Sequence, residues 1–242
     1  VDCVSLGGVV EVKGSRLFTF GCSFTNYRWP TWADLLGTQF AHYQNWAQSG
    51  AGNHFIFNSL IEANQRHSLG ESDTVLVCWT NVMREDRYTD RWQTLGNITS
   101  CPIYNKDYVR AAVTERGSLI RDLAMIQAAK TVLEQTGATW RFLSVCDLGN
   151  VHQFDDTETP DQDVLNVYRD ALDIMLPSFR STVFAQGWRN QGDPHPTPLE
   201  HLQYLDAVLP GWMTNCKLRV KIANEAKNLT MTQSGLSTVT RL

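Results

Sequence analysis

The strongest constraint on this chain is a repeated change of hydrophobic period. Short β-rich apolar runs alternate with stretches whose apolar residues recur at helical spacing. Arg16–Gly21 (RLFTFG) is an apolar run closed by glycine and reads as a strand. Trp32–Phe40 carries apolar side chains at 32, 35, 36 and 40, one face of a helix. His42–Ala47 reads as a second strand, ending before the turn-rich Gln48-Ser-Gly-Ala-Gly-Asn53. His54–Leu69 places Phe55, Ile56, Leu60 and Ala63 on one helical face. Thr74–Trp79 (TVLVCW) suits a strand buried on both faces. Asn81–Ile103 is polar and irregular, and is expected as a surface loop or insertion. Asp107–Gln135 is expected as a long helix broken near Gly117, and Trp140–Cys146 (WRFLSVC) as a strand. Asp161–Met175 then reads as a helix, and Ser181–Gln186 (STVFAQ) as a last short strand. Pro198–Val208 reads as a helix with proline at its start. From Ile222 the chain is polar and Ser/Thr-rich, and is expected to pack peripherally on a single domain of residues 1–221.

Strands alternating with helices imply crossover connections and a mostly parallel sheet, hence an α/β fold. Ligands of such sheets bind beyond the carboxyl ends of the strands. Four segments fall there: Gly21-Cys-Ser-Phe-Thr25, Gln48–Asn53, Trp79-Thr-Asn81 and Gly192-Asp-Pro-His195.

Composition removes several functional classes. The 242 residues are 43% hydrophobic and 19% charged, with a net charge of −4. That balance argues against disorder, and it lacks the basic surface of a nucleic-acid binder. No apolar run approaches the roughly 20 residues of a membrane span. Val1–Gly14 lacks the basic segment and apolar core of a signal peptide, so the expected location is cytoplasmic or virion-associated. The six cysteines show no C-x-x-C spacing, which speaks against a zinc ribbon or a redox pair. Cys22, Cys78 and Cys146 close apolar runs and are expected to be reduced and structural.

Each candidate site residue has an ordinary alternative. Ser23 sits at a strand-to-helix turn, where a hydroxyl can stand at the sheet edge beside backbone N–H groups. Ser in that place is also a common helix cap. Gly50 and Gly52 can let the backbone approach a ligand, or simply make a turn; Asn53 can equally cap the next helix. The Asn81 amide can donate to an oxyanion, or its carbonyl can bond its own backbone. Asp193 and His195 lie two apart in a proline-restricted loop, as a base and its orienting carboxylate would, or as a rigid surface loop would. Cys22 is the rival nucleophile, although the residue beside Ser23 should point the other way. His201 is expected as a helix surface or packing residue. Trp29, Trp32, Trp79 and Trp188 lie near the site segments and suit either sugar rings or a core. Arg84-Glu-Asp-Arg87 is read as a solvated loop with local ion pairs, or as the mouth of a pocket.

Taken in order, Ser23 in LFTFGCSFT, Gly50 in NWAQSGAGN, Asn81 in VLVCWTN and Asp193/His195 in GDPHP resemble the four blocks of the SGNH (GDSL-like) hydrolase superfamily. The resemblance spans about residues 16 to 208, and the GCSFT start resembles a divergent subgroup found in bacterial and phage proteins. It implies a three-layer α/β/α sandwich with a five-stranded parallel sheet in flavodoxin-like order. It also implies ester hydrolysis through an acyl-serine, without metal or organic cofactor. Ser23 would be the nucleophile, His195 the base and Asp193 its orienting partner. The Ser23 N–H, the Gly50 N–H and the Asn81 side chain would form the oxyanion hole. The chain departs from the family pattern at Cys22, which stands where the family has Asp, and around Asn81, which lacks the usual Gly before and Asp after.

The expected function is a serine esterase removing acetyl or another short acyl group, on a small-molecule or glycan ester. Two alternatives stand beside it. One is an acyltransferase of the same fold. The other is a catalytically inactive structural or glycan-binding module, assembled for example in a phage particle. No nucleic-acid or membrane partner is expected, and the oligomeric state is open.

Overall fold

A computed structural model describes residues 15–148, 161–185 and 193–225. Its elements run β1 (Arg16–Phe20), α1 (Trp32–Gly37), β2 (His42–Asn45), α2 (Asn53–His67), β3 (Asp73–Trp79), β4 (Arg84–Tyr88) and β5 (Trp92–Asn97). They continue with α3 (Lys106–Ala112), α4 (Glu115–Thr136), β6 (Thr139–Ser144), α5 (Gln162–Val167), α6 (Arg169–Asp173), α7 (Phe179–Thr182), α8 (Pro198–Val208) and α9 (Cys216–Glu225).

The main sheet has the order β2-β1-β3-β6, and every pairing in it is parallel. The fold is therefore α/β. The order reverses direction between β1 and β3, the switch point at whose carboxyl ends such sheets bind their ligands. β3 is buried at all seven residues, as its unbroken apolar run requires when both faces are covered. Helices α2 and α4 pack together, as do α1 and α8. The stripe Leu119, Leu123, Ile126, Ala129 and Leu133 on α4 is wholly buried, the spacing of one helical face. Cys22, Cys78 and Cys146 are free thiols buried in the same core.

Three sequence expectations need correction. Asn81–Ile103 is not a loop: β4 and β5 pair in an antiparallel hairpin with an irregularity between Arg84 and Asp86. The strand pattern was hidden because β4 reads REDRY, and its charges are taken up by partners inside the molecule. The long helix breaks at Val113–Thr114 rather than at Gly117. Thr114 caps α4 by accepting the Gly117 N–H at 3.0 Å. Ser181–Gln186 is not a strand over its described residues. The Ser178 hydroxyl accepts the Ser181 N–H at 3.0 Å and starts the short helix α7 instead. Beside β6 the described residues supply an isolated parallel bridge between Met175 and Phe142, with the Leu176 N–H on the Phe142 carbonyl at 2.9 Å, and no further strand. The main sheet thus has four strands among the described residues, where five were expected.

The helix expected over Asp161–Met175 is two short ones, α5 and α6, separated at Tyr168 and ending at Asp173, before Met175. Helix α9 runs through position 222, with Ile222 buried. Most of the polar tail, residues 226–242, lies outside the described residues, as do Gly192, Trp188 and Gln186. No helix among the described residues is long and apolar enough to cross a membrane.

Candidate active site

β1 ends at Phe20, and the chain turns at once. The Cys22 carbonyl accepts the N–H groups of Thr25 and Asn26 at 2.9 and 3.0 Å, which makes one helical turn around Ser23. Gly21 has to be small, because a Cβ there would collide with the Thr25 side chain. The turn is tied to the end of β2. The Asn45 amide donates to the Thr25 carbonyl at 2.8 Å and the Asn26 amide to the Ala47 carbonyl at 2.9 Å. Ser23 itself is 4% exposed.

Gly50 occupies the turn after β2. The Ala51 N–H donates to the Gln48 carbonyl at 3.1 Å, and Gly50 has φ +79°. That is the left-handed third position of a type II turn, which glycine fills without strain. The hairpin sits on this turn. The Gly96 N–H donates to the Gly50 carbonyl at 3.0 Å, and a Cβ on Gly50 would strike the Thr94 carbonyl. The Gln48 amide reaches Thr94 Oγ1 at 2.9 Å.

Asn81 follows β3. Its Oδ1 accepts the Met83 N–H at 2.6 Å, the self-bonded turn of the ordinary alternative. The bond uses the carbonyl oxygen, and the amide N–H groups take no part in it. Asn53 is no cap. Its side chain accepts the Thr80 N–H at 2.8 Å and donates to the Thr80 carbonyl at 2.9 Å, gripping the backbone one residue before Asn81. It also donates to Asp122 at 2.7 Å. Burial pushes the Asp122 carboxyl up, against the pull of neighbouring Arg121.

Asp193 and His195 do meet. The His195 Nδ1–H donates to Asp193 Oδ1 at 2.6 Å, and the His195 backbone N–H to the same oxygen at 3.0 Å. This bond fixes the tautomer that leaves Nε2 as the acceptor. The other oxygen, Oδ2, accepts from the Tyr27 hydroxyl at 2.5 Å and from Arg28 at 2.7 Å. Partial burial pushes the carboxyl up. The Tyr27 hydroxyl and the His195 backbone and ring N–H groups outweigh it and hold the acid at about 2. The imidazole lies between Tyr27, stacked at 3.9 Å and 18°, and Phe24 at 5.7 Å. The neighbour of Ser23 thus touches His195. No hydrogen bond joins Ser23 to His195 among the described residues.

Ser23, Gly50 and Asn81 follow three adjacent parallel strands, β1, β2 and β3, at one sheet edge, and Asp193/His195 come to the Ser23 turn. Sequence reasoning missed Tyr27, Arg28, Asp86, Asp122 and the grip of Asn53. The Tyr27–Asp193 contact spans 166 residues, so spacing carried no signal of it. Arg84–Arg87 is strand rather than loop. It keeps the expected local ion pair, Arg87 to Glu85 at 2.8 Å, and those two side chains line a cavity against Tyr108 and Arg121, away from Ser23. Asp86 is buried and Glu85 bonds Arg121 at 2.7 Å. His201 is a packing residue, fully buried and edge-on to Phe179 at 5.4 Å. Trp32 and Trp79 are core. Trp29 is half-buried beside Tyr27, with its indole N–H on the Pro196 carbonyl at 2.8 Å. No group of three or more His, Cys, Asp or Glu suited to a metal occurs among the described residues.

No family model matches the chain, and no curated protein matches it. Among solved structures it is similar to TesA, with 14% identity, TM-score 0.46 and coverage of 81% of this chain and 97% of that one. A member of the lipolytic G-D-S-L family from Veillonella parvula gives 11% identity, TM-score 0.44 and coverage of 78% and 92%. The acetyl xylan esterase Est2A from Butyrivibrio proteoclasticus gives 12%, 0.43, and coverage of 90% and 66%. At such identities and scores these overlaps say nothing of activity. The chemistry of this chain has to be read from its own side chains.

Proposed function

We propose that the chain is a serine ester hydrolase acting through an acyl-serine at Ser23. One observation carries the reading: a carboxylate–imidazole pair, Asp193–His195, is bonded at 2.6 Å and packed against the residue that follows Ser23. His195 Nε2 takes the Ser23 proton as Oγ attacks the ester carbonyl. The tetrahedral oxyanion is received by the Ser23 and Gly50 N–H groups and the Asn81 amide. Collapse returns the proton from His195 to the leaving alcohol. Water, deprotonated by the same imidazole, then frees the acid. Asp193 keeps the imidazole in one tautomer and supports its positive charge. A short acyl group such as acetyl is the proposed leaving acid, and a sugar is the proposed alcohol, on the strength of the Trp29 ring beside this loop.

A second reading is an inactive structural or glycan-binding module, favoured by the lack of a Ser23–His195 hydrogen bond among the described residues. Catalytic hydrogen bonds often tighten only with substrate bound, so the esterase reading is preferred. A fluorophosphonate probe separates the two. Labelling that maps to Ser23 and disappears in Ser23→Ala supports the esterase; folded protein that never labels supports the module. Acylated glycan among the products would turn the hydrolase into an acyltransferase.

A further inference from the structure

Two independent contacts converge on the pair from one side chain. The Tyr27 hydroxyl bonds Asp193 Oδ2, while the Tyr27 ring lies almost parallel to the His195 ring. The two carboxylate oxygens are thereby divided, Oδ1 for His195 and Oδ2 for Tyr27 and Arg28. A carboxylate held at one oxygen alone can swing about its Cβ–Cγ bond. Held at both, it keeps Oδ1 in line with the ring N–H. The stacked face blocks rotation of the imidazole out of that line and lies against the positive ring formed during proton transfer.

We infer that Tyr27 is a positioning residue for the Asp193–His195 pair, setting the carboxylate through its hydroxyl and the imidazole plane through its ring. The inference rests on the reading of His195 as the base. Tyr27 acts through Asp193 and His195. Its two halves have opposite electrical effects. The hydroxyl draws charge away from Asp193, which weakens support for a protonated imidazole. The ring face favours the protonated imidazole. The titratable and charged groups facing His195 among the described residues are Asp193 from its own loop, Tyr27 and Arg28 from the segment after β1, and His201 from α8.

The test uses the full chain with Tyr27→Phe and Tyr27→Leu, read by kcat/KM against pH on p-nitrophenyl acetate. The His195 ring is also titrated by NMR in a Ser23→Ala background, which needs no activity. Tyr27→Phe keeps the stack and loses the hydroxyl. The acidic limb and the ring titration should both move up by about half a unit to one unit, and kcat should fall roughly tenfold with KM little changed. Tyr27→Leu should move both back down relative to Tyr27→Phe and lower kcat further. A ring titration unchanged in Tyr27→Phe overturns the inference, whether or not the protein is an esterase. Activity that survives in Ser23→Ala overturns the esterase reading, while the NMR result still decides the role of Tyr27.

Discussion

Asp86 receives the Gly52 N–H on both of its carboxylate oxygens, at 2.8 and 3.1 Å. One of those oxygens also accepts the Phe55 N–H at 2.8 Å. A strand residue thus caps helix α2 from outside, placing a carboxylate at the positive end of the helix. Burial pushes this carboxyl up, against the pull of those N–H groups. Asp86→Ala strips the cap and leaves buried donors unpaired. The expected loss is about 2 kcal/mol or more, measured by urea denaturation. A variant as stable as the parent would show that water replaces the carboxylate.

Gly50 cannot carry a side chain. Its φ of +79° suits glycine, and the Thr94 carbonyl fills the space of a Cβ. Gly50→Ala is expected to cost about 1–2 kcal/mol from backbone conformation alone. It should also push the hairpin off the turn, cutting the rate of Ser23 labelling at least about tenfold. Undiminished labelling would remove Gly50 from the oxyanion hole.

Ser23, His195 and Asp193 are expected to act as a unit. Ser23→Ala and His195→Ala should each lower kcat by several orders of magnitude, and the double variant should be little worse than either. Asp193→Asn should cost on the order of 10⁴, since the wrong tautomer is then favoured. Steady-state rates that multiply across the variants would contradict a shared mechanism.

Stability should fall on acidification through one buried ring. Burial, and then the neighbouring His195, hold His201 at about 3, well below the ordinary 6.5. Between those values the unfolded chain binds a proton that the folded chain refuses. The His201 contribution is therefore complete above 6.5 and is lost as pH falls toward 3, by up to about 1.4 kcal/mol per pH unit. Between pH 7 and pH 5 the parent should lose about 2 kcal/mol more than His201→Phe. Equal losses in chemical denaturation would refute a neutral buried ring.

The parallel sheet was legible because RLFTFG and TVLVCW are apolar runs with no polar alternation, and only a sheet covered on both faces buries them. The Asp193–His195 pair was legible because two residues of separation keep it within one loop. The hairpin was not. Strand signals assume one wet and one dry face, whereas β4 satisfies Asp86 and Glu85 by ion pairing and helix capping. STVF carries strand propensity, yet the Ser178 hydroxyl draws the backbone into a helical turn before those residues can join the sheet. Tyr27 escaped notice for a further reason: nothing in SFTNYRW marks a partner so distant along the chain.

The seat of the hairpin on Gly50 has a consequence for the order of assembly. Gln48 and Thr94 are 46 residues apart, so their bond closes only after β3 and the hairpin exist. Long-range closure of this kind delays formation. The turn bearing Gly50 should therefore be incomplete in the folding transition state. Loosening it, for instance by Thr94→Ala, should hasten unfolding far more than it slows refolding. A scaffold built first and a working edge locked last would let this corner of the molecule open on its own, ahead of the sheet that carries it.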